Sequence, residues 1–111
     1  MYSAPALIPV VSADVILEWH RNGEAVLVDV REVEEYQSRH IDGAFNVPLS
    51  QFDISKLPTI PEGKRLVFHC QAGVRCGTAA AKAAQDGYGG EIIRMQDGLF
   101  GWMAAGGMLV R

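Results

Sequence analysis

The sequence predicts an α/β protein, a mostly parallel sheet with helices on its faces. Three observations lead there. Short apolar runs alternate with helix-forming stretches along the whole chain. AVLVDV (25–30) is apolar except for Asp29, as a strand covered on both faces should be. TAAAKAAQD (78–86) is rich in the best helix former and gives a thin helix that can lie close to a sheet. The 111 residues fit one domain, 1–111, with 49% apolar residues to build its core.

The elements follow in chain order. ALIPVV (6–11), interrupted by Pro9, reads as an edge strand. Ser12 stands at an N-cap position with Asp14 in the first turn. Val15, Ile16 and Trp19 share one face of the helix that follows, and Gly23 ends it. After the 25–30 strand, REVEEYQSRH (31–40) predicts a short helix whose Glu32, Glu34 and Glu35 form a solvated start. AFNVP is a short strand stopped by Pro48, and SQFDISKL (50–57) predicts a helix capped by Ser50. PTIPEG (58–63) is a loop, and RLVFH (65–69) is the next strand. The 78–86 helix ends at Gly87, EIIRM (91–95) is a further strand, and DGLFGWMAAGG (97–107) makes one or two helical turns.

Net charge is −3, with no basic run or Lys/Arg stripe, so nucleic acid is not an expected partner. No apolar segment approaches the roughly 18 residues of a membrane span. The N-terminal stretch MYSAPALIPVVSADV lacks the basic and apolar regions of a secretory signal, so the expected location is cytoplasmic.

Chemistry concentrates in HCQAGVRCG (69–77), which holds both cysteines of the chain. Three readings are open: a disulfide or metal clip, a buried thiol of no consequence, or a nucleophile in an anion-binding loop. In open parallel sheets ligands bind beyond the carboxyl ends of the strands, where Cys70, Asp29 and Arg31 all stand. A tight turn leading into a helix aims successive N–H groups inward. Gly73 permits that turn and Arg75 adds a permanent cation. A thiol there is expected to be largely thiolate near neutral pH. Gln71, Ala72 and Val74 contribute mainly their backbone N–H groups. With no Cys-x-x-Cys pair and no histidine at ligand spacing, neither metal nor cofactor is expected.

Asp29 inside an apolar strand needs a partner, and Arg31 is the expected one. His69 points to the opposite face from Cys70 and reads as structural. His40 supports a turn, His20 lies on a helix surface, and Trp19 and Trp102 are packing residues.

These residues resemble the rhodanese (sulfurtransferase) domain family in its single-domain form. The resemblance runs from about residue 12 to 110. It rests on Cys70-x-x-Gly73-x-Arg75, on DVREVEEYQSRHIDGAFNVP (29–48), and on DGLFGWMAAGGMLV (97–110). It implies a five-stranded, mainly parallel sheet flanked by helices on both faces. It also implies that Cys70 carries sulfur as a persulfide, from a donor such as thiosulfate to cyanide or a thiol. Residues 71–76 would then bind substrate, with Asp29 and Arg31 supporting the loop. The implied partners are a small-molecule sulfur donor and acceptor, a protein thiol among the candidates. Four residues separate Cys70 from Arg75, one fewer than in phosphatases with a Cys–Arg loop, which by family analogy favours sulfur over phosphate. Two positions depart from the family pattern: Cys76 replaces the usual serine or threonine, and Arg39 replaces the glycine that often precedes His40. Cys76 therefore leaves open an alternative, a thiol redox or sulfur-relay module using both cysteines.

Overall fold

The structure is a computed structural model and describes residues 8–111. Its strands are β1 (Val10–Val11), β2 (Ala25–Asp29), β3 (Phe45–Asn46), β4 (Arg65–His69) and β5 (Ile93–Met95). They form one sheet in the order β1-β5-β4-β2-β3, and every pairing is parallel. Three helices lie between them, α1 (Ala13–Arg21), α2 (Val33–Ser38) and α3 (Arg75–Gln85), and a fourth, α4 (Gly98–Ala104), follows β5. The five-stranded parallel sheet with helices is the expected architecture.

Alternating side chains of the central strands feed two cores. Leu66 and Phe68 of β4 pack with Val28, Phe52 and the α3 alanines on one face. Val67 packs with Leu27, Ile16, Leu99 and Trp102, beneath α1 and α4, on the other. Ala79, Ala80 and Ala83 are wholly buried, so α3 lies close to the sheet because small side chains face it. Cys70 and Cys76 belong to the same core face as α3. Trp102 is buried and its indole N–H donates to the Met108 carbonyl at 3.0 Å.

β1 is an edge strand, as expected of Pro9 and its neighbours, while residues 6 and 7 of that stretch lie outside the described residues. Several local expectations are corrected. The buried face of α1 is Ala13, Ile16 and Leu17; Val15 is exposed and Trp19 half-buried, its ring covered by the Arg65 guanidinium at 4.4 Å. Ser12 takes the N-cap position without a side-chain capping bond. His20 is not a plain surface residue, since it meets Trp102 edge-on at 5.6 Å.

The 50–57 stretch is not an α-helix but two 3₁₀ turns, Leu49–Gln51 and Ile54–Lys56. Extended backbone at Phe52 and Asp53 separates them. Phe52 is drawn into the core against Phe68, with ring centroids 5.8 Å apart, and the Asp53 carboxylate accepts the Ser55 N–H at 2.8 Å. Such a local side-chain bond competes with continuous helix. Ser50 caps nothing; its hydroxyl donates to Glu32. Among the described residues, no helix is long and apolar enough to cross a membrane.

Candidate functional site

β2 and β4 run side by side in register, pairing Asp29 with His69 at their carboxyl ends. The chain therefore delivers Asp29, Arg31 and Cys70 to one edge of the sheet. Asp29 is wholly buried and Arg31 nearly so. The Arg31 guanidinium donates to Oδ2 of Asp29 at 2.8 Å, and its backbone N–H donates to Oδ1 at 2.9 Å. The guanidinium also donates to the Arg39 carbonyl at 2.6 Å and reaches Oε1 of Gln71 at 3.4 Å. The pair satisfies the carboxylate that a strand interior could not, and it touches the cysteine loop through Gln71. His69 points the other way, as alternation requires. It is wholly buried, neither ring nitrogen has a partner, and burial pushes its pKa down to about 4 against the pull of Asp29.

Beyond β4 the chain turns tightly from Cys70 to Val74. Gly73 adopts φ +99°, in the left-handed region that favours glycine, and an added Cβ would press on the Asp97 backbone nitrogen at 3.2 Å. The turn directs the Gly73 N–H at Cys70 Sγ, 3.2 Å away. The start of α4 holds the loop from below: the Leu99 N–H donates to the Cys70 carbonyl at 2.9 Å and the Phe100 N–H to the Gln71 carbonyl at 3.3 Å. Gly98 makes that approach feasible, because a Cβ there would collide with the Cys70 carbonyl and lie 2.8 Å from the Gln71 carbonyl carbon.

α3 begins at Arg75, three residues earlier than its alanine run suggests, so Arg75 and Cys76 sit in its first turn. Cys76 is buried and turned inward, towards the cradle. Its S–H donates to the Gly73 carbonyl at 3.2 Å, and its sulfur also neighbours that of Cys70. The Cys76 thiol beside it, followed by the N–H groups of Cys76, Gly73 and Ala72, holds the Cys70 pKa down to about 5, outweighing burial. The Cys76 pKa moves the other way, pushed up by its hydrogen bonding to Cys70 and by burial. The two cysteines are thus unequal: one is poised as an anion, the other keeps its proton. They are not joined by a disulfide.

Arg75 is not free. Its guanidinium makes two parallel hydrogen bonds to the Glu35 carboxylate, at 2.6 and 2.9 Å. Glu35 is therefore no mere solvated helix start, and Arg75 holds its pKa down to about 2. Glu35 also accepts the Glu32 N–H in a capping box at the start of α2, which fixes where the carboxylate stands. His40 stacks on Tyr36 at 3.9 Å and bonds its carbonyl through Nδ1 at 2.8 Å, supporting the turn as expected.

Two residues escaped the sequence reading. Glu35 lies forty positions from its partner, and Arg94 of β5 donates Nη2–H to the Gly73 carbonyl at 2.9 Å. The only sequence signal for either is a charge inside a short strand or at the start of a helix. A cleft of about 240 Å³ borders the loop at Gln71, lined by Arg31, Glu35, Ser38, Arg39, Leu99, Met103 and Leu109. Among the described residues, no group of three or more His, Cys, Asp or Glu side chains is arranged to hold a metal ion.

Fold and loop together define an α/β protein with a cysteine cradle at the carboxyl edge of a parallel sheet. The Rhodanese-like domain family matches residues 12–105, and the chain belongs to that family. Among its relatives is an uncharacterised protein of Synechocystis sp., 42% identical over 81 residues, covering 73% of this chain and 44% of the relative. Another is the thiosulfate:glutathione sulfurtransferase of Saccharomyces cerevisiae, 35% identical over 97 residues, covering 74% of this chain and 67% of the relative. The chain thus spans under half the length of the first of these. The solved thiosulfate sulfurtransferase of Pseudomonas aeruginosa shares the fold with TM-score 0.80 at 24% identity, over 94% of this chain and 20% of that one.

Proposed function

We propose that the chain is a sulfurtransferase that carries sulfane sulfur on Cys70. The observation that supports it best is the cradle at the end of β4, where the Gly73 N–H points at Cys70 Sγ from 3.2 Å beside the Cys76 thiol; this setting holds the Cys70 pKa down to about 5 and favours the thiolate at neutral pH. In the first half-reaction Cys70 Sγ attacks the outer sulfur of thiosulfate. A new S–S bond forms, the S–S bond of thiosulfate breaks, and sulfite leaves with the bonding pair. In the second, cyanide or a thiolate attacks the outer sulfur of the Cys70 persulfide, and the Cys70 thiolate departs. The donors that steady the thiolate also steady the persulfide anion. Gln71, Ala72, Gly73, Val74, Arg75 and Cys76 form the substrate cradle, and the Asp29–Arg31 pair steadies it through Gln71.

The cleft beside Gln71 suits the approach of an acceptor, with Arg39 at its rim and Leu99 and Met103 on its wall. The name of the yeast relative favours a thiol acceptor. The reading takes residues 1–111 as one domain, working in the cytoplasm on small-molecule donors and on small or protein thiols. The alternative, a redox module in which Cys76 resolves an oxidised Cys70, is weaker. Cys76 keeps its proton, and a protonated thiol is a poor nucleophile.

Incubation with thiosulfate followed by intact mass measurement should find one added sulfur in the wild type and none in Cys70→Ser. Added sulfur retained by Cys70→Ser, or absent from both, overturns the proposal.

A further inference from the structure

We propose that Arg94 is a positioning residue for the Cys70 sulfur: by holding the Gly73 carbonyl, it frees the Cys76 S–H to turn to the charged sulfur on Cys70. This inference deepens the sulfur-transfer reading and rests on it for its purpose.

The Gly73 carbonyl accepts from two donors, Nη2 of Arg94 at 2.9 Å and the Cys76 thiol at 3.2 Å. Cys76 has a single S–H, and two acceptors compete for it: this carbonyl and the neighbouring Cys70 sulfur. When Cys70 is neutral, the carbonyl is the better acceptor. When Cys70 is a thiolate or a persulfide, charge favours the sulfur. The switch would cost the half-buried carbonyl a partner were Arg94 absent, and the lost hydrogen bond opposes it. With Arg94 in place the carbonyl stays bonded in either state.

The guanidinium is held in position by its surroundings. It lies against Gly77 of α3, where an added Cβ would stand 2.8 Å from both Cζ and Nη2. Its Nε is buried without a partner, so the group is kept there by the Gly73 bond and the packing. Among the described residues no carboxylate is within ion-pair reach of Arg94, in contrast to Arg75 with Glu35 and Arg31 with Asp29. Its positive charge draws the Cys76 pKa down against the larger upward push from Cys70. The other charged groups around the cradle are the Glu35–Arg75 pair from α2 and α3, the Asp29–Arg31 pair at β2, and Asp97 behind Gly73.

The test titrates Cys70 by the pH dependence of iodoacetamide alkylation, which needs no sulfur donor. Its failure is therefore separate from failure of the sulfur-transfer reading. Arg94→Met should raise the Cys70 pKa from about 5 by about one unit, slowing alkylation at pH 5 roughly five-fold. Arg94→Lys should restore part of the shift. Gly77→Ala, which improves helix propensity but displaces the guanidinium, should raise the pKa like Arg94→Met and keeps the test valid if that variant folds poorly. Cys76→Ala should raise the pKa, Cys76→Ser should nearly preserve it, and adding Arg94→Met to Cys76→Ala should produce less than the sum of the two shifts. An unchanged Cys70 titration in folded Arg94→Met and Gly77→Ala overturns the inference. Fully additive shifts overturn the link through Cys76.

Discussion

His69 makes the acid stability of this protein predictable. The ring is wholly buried between strand and helices, and neither nitrogen is bonded. Protonating it would place a charge in the core, and burial accordingly lowers its pKa from 6.5 to about 4, with Asp29 opposing and Arg31 and His20 assisting. At 1.36 kcal/mol per pKa unit, the full change corresponds to roughly 3 kcal/mol. The folded pKa is depressed, so the unfolded chain binds more protons between pH 6.5 and 4. Stability is then complete above pH 6.5, falls with pH through that window, and levels off below about 4. From pH 7 to 5 the loss should be about 2 kcal/mol. Cys70 also titrates across part of this range, so the assay compares two proteins that share it. Urea unfolding of the wild type and His69→Leu, at pH 7 and pH 5, gives a stability difference at each pH. Leucine has a similar volume and no titratable group, so the difference should move by about 2 kcal/mol in the variant's favour as pH falls. An unchanged difference would refute the reasoning, because it would mean that the ring protonates in the folded state at no cost.

Two further outcomes follow from the geometry. Gly98→Ala combines a left-handed φ of +53° with a Cβ driven into the Cys70 and Gln71 carbonyl groups, and should cost about 2–4 kcal/mol in thermal denaturation while disturbing Cys70 alkylation. Asp29→Ala leaves the Arg31 guanidinium buried without its carboxylate and should cost about 3–5 kcal/mol, read by urea unfolding; a loss below about 1 kcal/mol would show the pair to be dispensable.

The cradle was legible in sequence to the extent that its parts are local. A strand that stops at Cys70, a glycine able to take a positive φ, and a strong helix behind them lie within a few residues of each other. The ion pair of Asp29 and Arg31 was legible for the same reason, being two positions apart. The Arg75–Glu35 and Arg94–Gly73 bonds were not, because they join segments forty and twenty-one positions apart that meet only after the sheet has formed. The 50–57 stretch misled because Ser50 offers a helix cap, while Asp53 and the pull of Phe52 towards Phe68 break it into two turns.

By itself, then, the sequence determined the alternation of strand and helix, the parallel sheet, and the placing of Cys70 at a strand's carboxyl end. These follow from backbone periodicity and turn chemistry, which act between near neighbours. Only the tertiary structure decided the strand order, the partners of Arg75 and Arg94, and the roles of the two cysteines. Cys76 is adjacent to Arg75 in the chain, yet whether it resolves, binds or donates depends on the first turn of α3 bringing its thiol to the Gly73 carbonyl and the Cys70 sulfur. Distances of a few ångströms decide which sulfur keeps the proton, and packing sets those distances.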